Sequence, residues 1–123
     1  MYIDFEDPIV EALLVSLNTD ATKHYSSGHV GDGIGITIEQ AADIKMLSGT
    51  GVSADPFYNN SQIETFNELP YFTRLQTNSS SMNRNMFSGS SIREVDLRGI
   101  TYVFPGMFYN CSNLQSIGNT DSV

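Results

Sequence analysis

The stretches NMFSGSSIREV (residues 85–95) and GMFYNCSNLQSI (residues 106–117) carry one pattern twice. Met86-Phe87 and Met107-Phe108 each lead into a run of small polar residues. Each run closes on two spaced apolar side chains, Ile92 and Val95 in the first and Leu114 and Ile117 in the second. The dipeptides lie 21 residues apart and the apolar pairs 22. A spacing in the low twenties suits one turn of a solenoid and is too short for a strand–helix–strand crossover. Apolar residues at Ile92, Val95, Leu97, Ile100 and Val103 describe a short strand followed by a turn that brings the chain back one layer down. Two constructions fit this pattern: stacked coils with Phe87 lying over Phe108, or two unrelated Met-Phe dipeptides in an ordinary β-rich domain.

Upstream the periodicity changes. Asp7-Pro8 reads as a helix start, a capping carboxylate followed by proline where its missing N–H costs nothing. Ile9, Leu13 and Leu17 then share a face, with Val10 and Leu14 beside them, which predicts a short amphipathic helix to about Leu17. Residues 18–35 are polar and glycine-rich and read as a loop. Thr37 followed by Gln40 is a capping-box pattern, and a second helix is expected to about Leu47, burying Ile38, Ala41, Ala42 and Met46 or Leu47. From Ile63 the apolar residues recur at threes, and residues 76–84 read as an extended loop.

The totals exclude whole classes of function. The 123 residues allow one domain with a real core. The 14 acidic residues outnumber the 6 basic ones, for a net charge of −8, and such a surface repels nucleic-acid phosphates and anionic lipid. The single cysteine, Cys111, rules out an internal disulfide and a cysteine-built zinc cluster. No apolar run is long enough to insert in a membrane, and the start MYIDFEDPIV has neither the basic nor the apolar region of a secretion signal.

The segment SIREVDLRGITYVFPGMFYNCSNLQSI (residues 91–117) resembles the BspA-like leucine-rich repeat family. The Cys111-Ser112 pair sits where that family's repeats carry a cysteine, and Ser90 takes its place in the preceding unit. IETFNELPYFTRLQ (residues 63–76) is similar to the stretch that leads into the first repeat in many of these proteins. ITIEQAADIKMLSG (residues 36–49) resembles the second helix of a calcium-loop-like pair that often precedes it. The resemblance implies an α+β fold in which an N-terminal helical hairpin (residues 1–62) caps a leucine-rich-repeat solenoid with short parallel strands (residues 63–123), the repeats continuing in a longer protein. It also implies a degenerate EF-hand or dockerin-like loop. Asp20 and Asp32 are its retained candidate ligands, but Gln40 stands where a bidentate glutamate would close the loop, and a neutral amide cannot supply two charged oxygens. No metal or other cofactor is therefore expected.

Nothing in the chain assembles a catalytic constellation. His24 and His29, five apart in the predicted loop, lack a third zinc ligand beyond Asp20 or Asp32. Cys111 has no base at a recognisable offset and no electropositive setting, so it reads as a small spacer. The carboxylate pairs Glu64 with Glu68 and Glu94 with Asp96 read as solvated residues. GDGIG (residues 31–35) lacks the Lys-Ser or Lys-Thr of a phosphate loop.

A non-enzymatic binding or attachment scaffold is expected, with Glu94, Asp96, Arg98 and Gln115 on its outward strand face. The partner would be a protein, a virion or cell-surface component, or a glycan, and homo-oligomers are compatible with this role. The resemblance implies an extracellular setting or a phage virion, either as a fibre or decoration component or as a surface adhesin. Two alternatives stand beside it: a calcium-dependent dockerin-like module, and an accessory part of a larger secreted enzyme.

Overall fold

Helix α1 (Pro8–Leu17) begins where the Asp-Pro pair predicts. The Oδ1 of Asp7 accepts a hydrogen bond from the Ile9 N–H at 2.9 Å, satisfying one of the first-turn donors that have no partner inside the helix. The buried seam of α1 is Val10 and Leu14, both fully buried, while Ile9 is 36% exposed and Leu13 only partly covered. Helix α2 (Ile38–Ala42) starts with the full capping box: Thr37 Oγ1 accepts from the Gln40 N–H at 3.1 Å, and Gln40 Oε1 accepts from the Thr37 N–H at 2.8 Å. The computed structural model describes residues 2–17, 35–44, 56–75, 85–100, 103 and 106–118. The predicted helical residues Met46 and Leu47 lie outside them.

Three short parallel strands follow: β1 (Thr65–Phe66), β2 (Glu94–Asp96) and β3 (Ser116–Gly118), in the order β1-β2-β3. Thr65 is level with Glu94 and Glu94 with Ser116, and Phe66, Val95 and Ile117 form the next row. Phe66 and Val95 are fully buried, but Ile117, on the edge strand, is 38% exposed. A 3-10 turn (Leu69–Tyr71) follows β1 and packs against α2. One buried cluster runs from Ile3, Val10 and Leu14 through Phe57, Phe66 and Phe87 to Met107.

The expected helical hairpin capping a leucine-rich-repeat solenoid is not the fold formed. Among the described residues there are two helices, of ten and five residues, and a three-stranded parallel sheet that is not a solenoid. The physical reason lies in the spacing. Val95 follows its neighbour Phe66 by 29 residues, whereas Ile117 follows Val95 by 22, so the connections are not equal windings. The Met-Phe pattern itself supplies only two units, and a repeat architecture needs about three or more before neighbours bury one another. Helix α2 stops at Asp43, too early to run as the second arm of a hairpin.

The local prediction about the aromatic rings is met. Phe87 stacks on Phe108 with centroids 5.5 Å apart and planes 14° from parallel. On its other side Phe87 stacks on Phe57 at 5.7 Å. The turns that carry these rings are tied by backbone bonds, Asn59 N to Ser88 O (2.8 Å), Phe87 N to Met107 O (3.0 Å) and Gly89 N to Tyr109 O (2.7 Å).

Each of these turns contains a residue with positive φ: Asn59, Gly89 and Asn110. At Gly89 (φ +71) a Cβ would collide with the Oδ1 of Asn59, whereas at Gly99 (φ +88) it would meet nothing within 4 Å. Both alanine substitutions carry the left-handed backbone penalty of about 1–2 kcal/mol. Gly89→Ala must also displace Asn59, so it is expected to destabilise measurably more than Gly99→Ala in urea unfolding. Equal midpoints would show that the Asn59 side chain yields without cost.

Candidate functional site

Among the described residues two grooves border the sheet. The first runs along the starts of the strands and has a volume of about 340 Å³. Glu64, Arg93 and Gln115, each immediately preceding a strand, line it together with Gln62, Ser91 and Asn113 from two residues earlier. Backbone pairing fixes these positions: the Arg93 N–H donates to the Glu64 carbonyl at 2.8 Å and the Gln115 N–H to the Arg93 carbonyl at 2.9 Å. The Arg93 guanidinium lies 3.3 Å from Glu64 and 3.8 Å from Glu94. These pairs are largely exposed, so they orient the groove more than they stabilise the fold. The result is a wall of amide, hydroxyl and charged groups contributed by all three parallel segments.

The four residues expected on one outward face are divided among different surroundings. Gln115 lines the strand-start groove. Glu94 is half-buried, and its Oε1 accepts from Asn67 Nδ2 at 2.6 Å. Asp96 is buried: its Oδ1 accepts from the Arg98 N–H at 2.9 Å and its Oδ2 from Arg98 Nη2 at 3.0 Å, which shapes the turn after β2. Arg98 lines the second groove. Glu64 and Arg93 were not singled out from sequence as binding residues, although each occupies the same offset before its strand as Gln115. Recognising Thr65–Phe66 as a strand would have placed them in one row.

The second groove, of about 560 Å³, is lined by Asp4, Glu6, Asn67, Glu68, Pro70, Tyr71 and Arg98. Glu68 is not the solvated carboxylate its sequence context suggests: it is only 5% exposed. Its Oε2 accepts from the Glu6 N–H at 3.1 Å, and its Oε1 is buried without a hydrogen-bond partner. Burial raises its pKa above the ordinary 4.5, the negative charges of Glu6 and Asp7 add to the rise, and the Glu6 N–H opposes it. The folded chain therefore holds this proton more tightly than the unfolded chain. The resulting stabilisation is complete below about 4.5 and is lost as pH rises through the folded-state value. Glu68→Gln is expected to flatten this part of the profile, so that the variant gains more in melting temperature over wild type at pH 7 than at pH 5. An equal gain at both would show that Glu68 titrates normally.

Cys111 is half-buried, and its Sγ donates to the Phe87 carbonyl at 2.9 Å and lies 3.8 Å from Ser90 Oγ. That contact makes the thiol a tie between neighbouring turns. The calcium-loop candidates Asp20 and Asp32 and the histidines His24 and His29 lie outside the described residues. Gln40, expected to close that loop with a neutral amide, has its side-chain oxygen engaged by the Thr37 N–H. Among the described residues no group of three His, Cys, Asp or Glu side chains could hold a metal ion, and no helix is long and apolar enough to cross a membrane. No protein-family model, no curated protein and no solved structure matches this chain.

Proposed function

We propose that this chain is a non-enzymatic binding or attachment module that holds a protein or glycan partner along the starts of its three strands. The observation that carries this reading is the strand-start groove, where Glu64, Arg93 and Gln115 stand in one row fixed by sheet pairing. Directional donors and acceptors on a rigid scaffold recognise polar ligands such as sugar hydroxyls or peptide amides. The resemblance in the 91–117 stretch adds the expected setting, the surface of a virion or of a bacterial cell.

Glycan arrays and immobilised intact bacteria test the proposal, with wild type compared against the double variant Arg93→Gln, Gln115→Ala. Both positions are at least partly exposed, so the variant should fold with little change in melting temperature. Capture by at least one surface is expected in wild type and should fall about tenfold or more in the variant, the equivalent of one or two lost polar contacts. Undiminished capture would move the interface elsewhere, and glycan cleavage by wild type would overturn the non-enzymatic reading.

A further inference from the structure

The groove beside the 3-10 turn has a different chemistry. Among the described residues three carboxylates line it, Asp4, Glu6 and Glu68, against one cation, Arg98. Arg98 is already engaged, its Nη2 lying 3.0 Å from Asp96 Oδ2. Asp4 accepts no hydrogen bond and forms no ion pair among the described residues. The Nδ2 of Asn67 is committed to Glu6 at 3.2 Å and Glu94 at 2.6 Å and has no donor left for Glu68. Glu68 Oε1 therefore stays buried and unpartnered, a position that costs free energy until a donor reaches it.

We propose that this groove receives a monovalent organic cation, an alkylammonium or guanidinium head group on a short apolar stem. Such a group supplies what Glu68 Oε1 lacks, an N–H donor that also carries positive charge, and a charge-assisted bond to a carboxylate is the strongest pairing available there. Pro70 and the ring of Tyr71, which is 43% exposed, offer the apolar wall along which a stem lies. An aromatic face also attracts a cation directly. A divalent metal fits poorly, because no three acidic side chains among the described residues converge closely enough to ligate one. The same head group can come from a free amine or from a lysine or arginine side chain on a protein partner. This site is separate in its lining residues from the strand-start groove, so either assignment can fail alone.

The test is a titration of the full chain with butylammonium, with butylguanidinium and with an N-acetylated, C-amidated peptide containing one lysine or one arginine, followed by amide NMR. Shifts are expected at Asn67, Glu68 and Tyr71. Glu68→Gln should weaken binding about tenfold, and Arg98→Gln should tighten it by removing a like charge and a rival occupant. Glu39→Gln, at the exposed position of α2, should change nothing. Binding of the small cations would identify a free amine as sufficient, and binding of the peptides alone would identify a partner's side chain. The proposal is overturned if no probe shifts these amides, if Glu39→Gln weakens binding as much as Glu68→Gln does, or if calcium produces the same shifts more strongly.

Discussion

Phe87→Ala is expected to remove about 3–5 kcal/mol of folding free energy, the range for deleting a fully buried aromatic side chain. Phe87 has no exposed surface and touches three other rings: Phe57 and Phe108 stacked on either face at 5.7 and 5.5 Å, and Phe66 edge-on at 6.1 Å. The cavity left by alanine would open between turns tied at fixed spacing by the bonds from Phe87 N to Met107 O and Asn59 N to Ser88 O. Those ties oppose collapse, which places the cost toward the upper part of the range. Because a domain of this kind has only about 5–15 kcal/mol in total, the variant should unfold at far lower urea with an unchanged denaturant slope. Phe108→Ala should cost less, since Phe108 is only partly buried. A double-mutant cycle should give a coupling of about 0.5–1.5 kcal/mol between the two rings. Additive losses would mean that the rings fill space independently.

That ring pair was legible in sequence because its two members share a local context, the Met-Phe dipeptide and the small polar run after it. The first turn of each helix was legible for the same kind of reason. Asp7-Pro8 and Thr37 with Gln40 satisfy backbone donors within three residues, so neighbouring side chains suffice to specify them. The architecture was not. Strand β1 is two residues long, too short for alternation to show, and Phe66 lies among apolar residues spaced at threes that gave no strand signal. Without β1 the unequal connections on either side of β2 were invisible, and two similar units read as the beginning of many. The burial of Glu68 is invisible locally, because a partner of its carboxylate, the Glu6 N–H, lies 62 positions away. Strand alternation points Asp96 outward, but the turn after β2 claims both its oxygens.

The same distance hides the second role of Asp7. Its Oδ1 caps α1, but its Oδ2 accepts from the backbone N–H groups of Glu64 at 2.6 Å and Thr65 at 3.2 Å, fastening the helix to the start of β1. Asp7 is 7% exposed and Thr65 is 5% exposed. Asp7→Ala therefore leaves a buried N–H without a partner as well as an uncapped helix, and about 3–5 kcal/mol is expected, combining about 1 for the cap with the larger cost of lost charge-assisted bonds. Asp7→Ser separates the two roles. A serine can restore the cap but is too short to span to β1, so it should recover only about 1 kcal/mol. Hydrogen exchange gives the sharper readout: the amides of Glu64 and Thr65 should lose protection in both variants, while that of Ile9 should lose it only in the alanine form. Recovery of all three by serine would reduce Asp7 to an ordinary helix cap. Loss at Glu64 would also reach the strand-start groove, because the Asp7 bond to that backbone N–H fixes the residue whose carboxylate faces Arg93. Partner capture should then weaken in Asp7→Ser even under conditions where the variant remains fully folded.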